Sequence, residues 1–220
     1  MRRIIRSVLV GAIVGCSTAS ALADVNLNSL FTDNMVLQRD IPAKVFGTAD
    51  DGENVIVSIN GQIAKTTAKG GEWLVALQPM KAGGPHRLTI EGKNTLILQN
   101  VLFGDVWLCT GQSNMDFDCS WFASPDGRQD DYLHEYGVQR KRYIEIAKNA
   151  ARYKNLRMFV AEKRPGAKRA GLEAVKAFDK SWQVSAENYT LLTSALGYAF
   201  GLRLHQHLNI PIGLIDTNKS

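Results

Sequence analysis

VLFGDVWLCTGQSNMDF, residues Val101 to Phe117, contains the pattern from which the architecture of this 220-residue chain is inferred. Its first part, Val101 to Leu108, is almost continuously apolar, which is typical of a strand covered on both faces of a parallel sheet. A polar turn with Ser113 at its centre follows. In open α/β sheets, chemistry takes place just beyond the carboxyl ends of the strands. Ser113 is therefore a candidate nucleophile, and the alternative is a Ser or Asn helix N-cap.

Residues 24–100 have the pattern of a small β-sandwich. Short runs rich in β-branched residues alternate with turn signals, and Asn60-Gly61 is the strongest short hairpin signal. A second hairpin is predicted around Gly92-Lys93-Asn94. The predicted strands are Val55–Ile59, Gln62–Thr67, Trp73–Leu77, Arg87–Glu91 and Thr95–Gln99, with a loop at Pro79–Pro85.

From residue 101 the pattern changes to α/β. Two further apolar runs, Asn155–Ala161 and Pro211–Ile215, predict parallel strands. Helices are predicted over Asp130–Ala151 and over Leu191–Leu204, where we expect two glycines to permit close packing on the sheet. Three parallel strands are fewer than the roughly five of a doubly wound sheet, so the domain is predicted to be incomplete.

Residues 1–23 have the pattern of an export signal. Three arginines precede an apolar stretch at Val8–Val14, and Ala21-Leu22-Ala23 fits a cleavage site that leaves Asp24 as the first residue. The alternative is a lipoprotein anchored at Cys16, because Ile13-Val14-Gly15-Cys16 resembles a lipobox. The apolar stretch is too short for a permanent transmembrane span, so we expect a periplasmic or extracellular protein.

The net charge bears on nucleic-acid binding, and the cysteines bear on whether a disulfide forms. The chain has 26 basic and 21 acidic residues, a formal net charge of +5. Removal of the three arginines in residues 1–23 leaves 23 basic against 21 acidic residues, or +2, which does not predict nucleic-acid binding. We expect Cys109 to be a buried thiol, with pairing to Cys119 as the alternative. No ligand motif predicts a metal, and no organic cofactor is expected.

The segment Gly111-Gln112-Ser113-Asn114-Met115, preceded by Gly104-Asp105-Val106-Trp107, resembles the nucleophile block of the sialate O-acetylesterase family, which belongs to the SGNH hydrolases. It is not a G-x-S-x-G elbow, because Met115 replaces the second glycine. Further similar segments extend the resemblance over residues 27–220. The resemblance implies a small β-sandwich domain at 24–100, followed at 101–220 by the N-terminal part of an SGNH, flavodoxin-like, three-layer α/β domain. The segments are Phe31–Gln38, Ser194–Gly201 and Ile210–Ile215.

The same resemblance implies a serine esterase that removes O-acetyl groups from carbohydrate through an acyl-enzyme on Ser113. Gln112 and Asn114 are expected around the pocket and the oxyanion. A serine also needs a base, which the family's Asp-x-x-His block near its C-terminus supplies. We expect the chain to end before that block and to have little esterase activity alone. Asp131 and His134 have the same spacing but lie near the serine in sequence, and we interpret them as a decoy.

Other interpretations remain open. The chain is alternatively a catalytically inert fragment or a carbohydrate-binding protein with the same fold. The substrate is either acetylated sialic acid or an acetylated plant polysaccharide, and no residue decides between them.

Overall fold

The computed structural model describes residues 24–120, 136–161 and 180–217, and its architecture is mixed α/β, as predicted. The export signal predicted at 1–23 lies outside these ranges. The strands are β1 (Asn26–Leu27), β2 (Val36–Gln38), β3 (Ala43–Thr48), β4 (Asn54–Ile59), β5 (Gln62–Thr67), β6 (Glu72–Leu77), β7 (Gly83–Glu91), β8 (Thr95–Cys109), β9 (Leu156–Val160), β10 (Trp182–Val184) and β11 (Ile212–Asp216). The helices are α1 (Ser113–Asp116), α2 (Tyr136–Asn149), a 3-10 turn (Ala150–Arg152), α3 (Glu187–Leu191) and α4 (Ala195–Leu208).

The N-terminal strands form two antiparallel arrangements that share one core. β3 pairs with β1 and β6, while β4 pairs with β5 and β7. Alternate side chains are buried along β4 and β6, which gives the period of two that the sequence shows. Each strand predicted in this region lies within an observed strand. The predicted loop is wrong at its end, because β7 begins at Gly83 and pairs irregularly, with register shifts between Gly83 and Leu88.

Strand β8 joins the antiparallel and parallel parts of the fold. Its first part pairs antiparallel with β7, and Asp105 to Cys109 pair in parallel with β11. Within the part that pairs with β7, Asn100 has a φ of 58°, a conformation that asparagine tolerates better than most residues. The sequence predicts two strands here, whereas the structure has one. The boundary between two domains at residue 100 stays a prediction.

A short parallel sheet forms the second part of the fold. β11 lies between β8 and β9, and Asp216 is in register with Cys109 on one side and Val160 on the other. The three predicted parallel strands are thus confirmed. The sequence analysis missed β10, which pairs antiparallel with β9 and has only three residues. So short a strand has no detectable period.

Both predicted helices are present, with different ends. The described part of the first is α2, and the second is α4, which starts four residues later than predicted because Ser194 is its N-cap. The Ser194 hydroxyl accepts a hydrogen bond from Gly197 N at 3.2 Å, and Asn209 ends the helix with a φ of 54°. No helix in the described ranges is long and apolar enough to span a bilayer.

Glycines allow neighbouring elements to approach both faces of the parallel sheet closely. A Cβ on Gly201 of α4 would lie 2.8 Å from Leu214 Cδ1 of β11, and a Cβ on Gly197 would have a neighbour at 3.0 Å. The expectation that these glycines permit close packing is therefore confirmed. On the opposite face, a Cβ on Gly213 would lie 2.9 Å from Val36 Cβ of β2. The N-terminal part of the chain thus approaches that face through β2.

The end of β8 is more exposed than its sequence predicts. Trp107 is 43% and Leu108 63% exposed, so the expectation of a strand covered on both faces is wrong for these residues. The neighbouring strand β2 ends in register with Gly104. Trp107 packs edge-on against the ring of Phe200, with centroids 5.0 Å apart. A continuous apolar run does not reveal that its last residues lie at the rim of a sheet.

Candidate active site

Ser113 lies on a sharp turn after the carboxyl end of β8. Gly111 precedes it with a φ of 149°, a conformation that residues with a Cβ rarely adopt. Ser113 is the first residue of α1, and Gln112 occupies the N-cap position without a side-chain capping bond. The alternative interpretation of Ser113 or Asn114 as the N-cap is therefore wrong. The position of Ser113 has no capping explanation.

The turn is fixed by its backbone while its side chains remain accessible. Met115 N donates to Gln112 O at 2.9 Å, and Phe117 N donates to Ser113 O at 3.1 Å. Gln112, Ser113 and Asn114 are all exposed, which places the three predicted site residues together at the surface. The first N–H groups of a helix have no intrahelical acceptor. The N–H groups of Ser113 and Asn114 are therefore candidate donors to an oxyanion.

Asp216 is a second polar residue at this edge of the sheet. It ends β11, next to the end of β8, and is 2% exposed. Its Oδ2 accepts a hydrogen bond from Ser194 N at 2.9 Å, and its carbonyl oxygen accepts one from Ala161 N at 2.9 Å. The sequence analysis missed Asp216. The available signal was an aspartate directly after the apolar run Pro211–Ile215, at the carboxyl end of a strand.

The chain that follows α1 is held against the start of α4. Ala195 N donates to Phe117 O at 2.8 Å, and Cys119 N donates to Thr193 O at 3.1 Å. These two bonds flank an isolated antiparallel bridge between Asp118 and the N-cap of α4. The exit from the Ser113 turn is therefore attached to the helix that packs on the sheet.

Buried polar groups lie behind the turn. Cys109 and Cys119 are buried thiols that do not form a disulfide, which confirms the expectation for Cys109. Asp118 is also buried and accepts a hydrogen bond from Ser120 Oγ at 2.6 Å. Such bonds are what burial of polar side chains requires. In the described ranges, no three or more His, Cys, Asp or Glu residues are grouped to hold a metal ion.

The histidines at 86, 205 and 207, which are those within the described ranges, do not lie at the edge that carries Ser113. His86 of β7 packs against Phe103 with ring centroids 5.8 Å apart, and burial lowers its pKa. His205 and His207 are in the last turn of α4, which begins beside the end of β11. A helix of 14 residues is about 20 Å long, so both lie near the opposite edge of the sheet. The described residues thus place no histidine beside Ser113.

Asp131 and His134 lie outside the described residues. Their interpretation as a decoy for the family's Asp-x-x-His block stays a prediction.

An exposed serine on a turn beyond a parallel strand, beside the first N–H groups of a helix, is the arrangement expected of a serine hydrolase with an α/β fold. No family model matches the chain. The chain is similar in sequence to sialate O-acetylesterases. The human protein is 33% identical over 208 residues and the rat protein 36% identical over 211 residues, and each match covers 86% of this chain. The chain belongs to the sialate O-acetylesterase family, which confirms the resemblance seen in its motifs.

The matches cover only part of these relatives. The chain spans about a third of their length, 36% of the human and 34% of the rat protein. A solved structure, a carbohydrate acetylesterase from Xanthomonas citri, matches 89% of this chain and 40% of its own, with a TM-score of 0.69 and 29% sequence identity. The similarity of fold and sequence therefore extends over nearly all of this chain.

Proposed function

We propose that the protein is a serine esterase that removes O-acetyl groups from carbohydrate. The observation that carries the proposal is the exposed Ser113 on its turn beyond β8, in a chain related to proteins named sialate O-acetylesterase and carbohydrate acetylesterase. The protein acts outside the cytoplasm, which the export pattern of residues 1–23 supports. Acetylated sialic acid and acetylated plant polysaccharide are the two candidate substrates.

In the proposed reaction, Ser113 Oγ attacks the acetyl carbonyl carbon while a base takes the hydroxyl proton. The tetrahedral intermediate collapses, the C–O bond to the sugar breaks, and the base returns the proton to the leaving sugar oxygen. Water then attacks the acetyl-enzyme and gives its proton to the base. Acetate leaves, and Ser113 regains its proton. The N–H groups of Ser113 and Asn114 stabilise the oxyanion, and one such donor contributes roughly 3 kcal/mol.

This reaction needs a base, and none of the described histidines lies beside Ser113. His134, with Asp131 to orient it, is one source within the sequence. The other source is an Asp-x-x-His block of the kind that the family resemblance implies. Loss of the base in a serine hydrolase lowers turnover on the order of a million-fold. We therefore expect acetate release close to the background rate where neither source supplies the base.

Hydrolysis of an aryl acetate tests the proposal, with imidazole added to supply the base. The part of the rate that belongs to Ser113 is the difference between the wild type and Ser113→Ala. Ser29→Ala, which changes an exposed serine in the N-terminal part, is the matched control. We expect an acetyl group on the Ser113 peptide by mass spectrometry and a rate increment that only Ser113→Ala removes. A rate above that of imidazole without protein, equal in the wild type and in Ser113→Ala, would rule out Ser113 as the nucleophile.

The same assay decides between the esterase and the inert alternative. Robust hydrolysis without imidazole, lost in both Ser113→Ala and His134→Ala, would show that His134 is the base. No acetylation of Ser113 under any condition would favour a protein that binds carbohydrate without cleaving it. Retention of the chain on an O-acetylated polysaccharide, but not on the deacetylated polymer, would then measure that binding.

A further inference from the structure

Asp216 is a buried carboxylate that the proposed reaction does not use directly. It lies at the end of β11, between the ends of β8 and β9. Burial of a carboxylate is unfavourable unless hydrogen-bond donors satisfy it, and Ser194 N is such a donor.

The bond fixes the start of α4. Ser194 caps the helix with its own hydroxyl, which accepts a hydrogen bond from Gly197 N. Asp216 Oδ2 accepts a hydrogen bond from the backbone N–H of Ser194. A negative charge at the positive end of a helix of 14 residues is a further favourable interaction. Asp216 therefore ties the first turn of α4 to the end of the central parallel strand.

The start of α4 in turn holds the Ser113 turn. A chain of backbone bonds runs from Ala195 N to Phe117 O and from Phe117 N to Ser113 O, and Cys119 N donates to Thr193 O. The bonds of Ala195 and Thr193, the two neighbours of Ser194, attach the start of α4 to the exit from the Ser113 turn. The bond from Phe117 N attaches that exit to Ser113 itself. The carboxylate of Asp216 is thus linked to the Ser113 backbone through hydrogen bonds and the short backbone segments between them.

We propose that Asp216 is a positioning residue for Ser113 and acts through Ser194. The proposal rests on the proposed function, because the placement of Ser113 matters to rate only if Ser113 attacks substrate. Without the carboxylate, the first turn of α4 is free to shift, and the Ser113 turn shifts with it. A displacement of about 1 Å at a reacting group lowers a rate on the order of 100-fold.

Amide hydrogen exchange tests the link without turnover. Asp216→Asn keeps the shape and one acceptor oxygen, whereas Asp216→Ala removes both. Glu53→Gln is the matched control, because Glu53 is also a buried carboxylate that accepts a backbone N–H, from Lys93 at 2.7 Å. We expect the amides of Ser194 and Cys119 to exchange at least about 10-fold faster in Asp216→Ala and less so in Asp216→Asn. The exchange rates of these two amides are expected to stay unchanged in Glu53→Gln. The exchange rates of the β4 amides are expected to stay unchanged in both Asp216 variants.

Two outcomes would overturn the proposal. Faster exchange throughout β4 and β8 as well would assign Asp216 a role in global stability, and unchanged exchange at Cys119 would break the link to the turn. In the imidazole assay, Asp216→Asn is expected to lower kcat about 10-fold or more and leave KM unchanged, unlike Glu53→Gln. Local exchange changes without any Ser113-dependent acetylation would contradict the proposed function but leave the link between Asp216 and the turn intact.

Discussion

The Arg157 guanidinium donates from Nη2 to Asn100 Oδ1 over 3.3 Å, which connects the parallel strand β9 with the residue of positive φ in β8. Nη1 donates to Asn34 Oδ1, also at 3.3 Å. Arg157 is only 3% exposed, and its Nε has no hydrogen-bond partner in the structure described. Burial lowers its pKa to about 10. The arginine therefore joins two parts of the fold through long bonds while its charge is poorly solvated.

We expect Arg157→Met to change the free energy of unfolding by no more than about 1 kcal/mol, because relief of charge burial offsets the lost hydrogen bonds. Arg157→Ala also leaves a cavity and is expected to lower that free energy by about 2–4 kcal/mol. Urea denaturation of both variants measures the difference. A loss above about 3 kcal/mol in Arg157→Met would show that the bonds to the asparagines outweigh the desolvation of the charge.

Tyr198 makes the stability of the fold sensitive to alkaline pH. Its hydroxyl lies 2.7 Å from Ser185 Oγ, and burial raises its pKa above the ordinary 10.0. Between pH 10 and the higher pKa of the folded state, the unfolded chain loses the proton and the folded chain retains it. The contribution is therefore present below about pH 10 and is lost as the pH rises further.

Tyr198→Phe removes this titration and the bond to Ser185, so we expect a loss of about 1 kcal/mol at neutral pH that shrinks above pH 10. Urea denaturation of both proteins at neutral and alkaline pH measures the two differences. A difference that is the same at both pH values would contradict the effect of burial on Tyr198.

Local patterns account for most of the strands but not for how they join. The alternation in β4 and β6 and the Asn60-Gly61 turn are local signals, and each led to the correct strand. The continuity of β8 depends on Asn100 adopting a positive φ and on partners far away in sequence, β11 among them. No local pattern contains that information.

The candidate site also contains one residue that a local pattern predicts and one that depends on contacts distant in sequence. Ser113 is recognisable because the apolar strand, the glycine and the polar turn are adjacent in sequence. Asp216 is not recognisable, because its bond to Ser194 spans 22 residues and forms only when α4 packs on the sheet. A lone aspartate after a strand does not reveal its donor.

Gly201 allows α4 to approach the sheet. A Cβ there would lie 2.8 Å from Leu214 Cδ1 and 3.2 Å from Leu156 Cδ1. Gly201→Ala is expected to lower the free energy of unfolding by about 1–3 kcal/mol through overpacking, although alanine has the higher helix propensity. Leu214→Val reduces the crowding, so the double variant should lose less than the sum of the single losses in urea denaturation. Additive losses would contradict direct contact between the two positions.

Gly111 sets the direction of the turn that presents Ser113. Alanine at its φ of 149° is strained by about 1–3 kcal/mol, and its Cβ would lie 3.1 Å from Met115 Cγ. We expect Gly111→Ala to reduce acetylation of Ser113 in the imidazole assay at least about 10-fold, because the hydroxyl moves from its position. Gly61→Ala is the matched control, since Gly61 has a φ of 79° in a hairpin of the N-terminal part. Equal acetylation rates in the two variants, at similar losses of stability, would show that the turn at Gly111 does not determine the reactivity of Ser113.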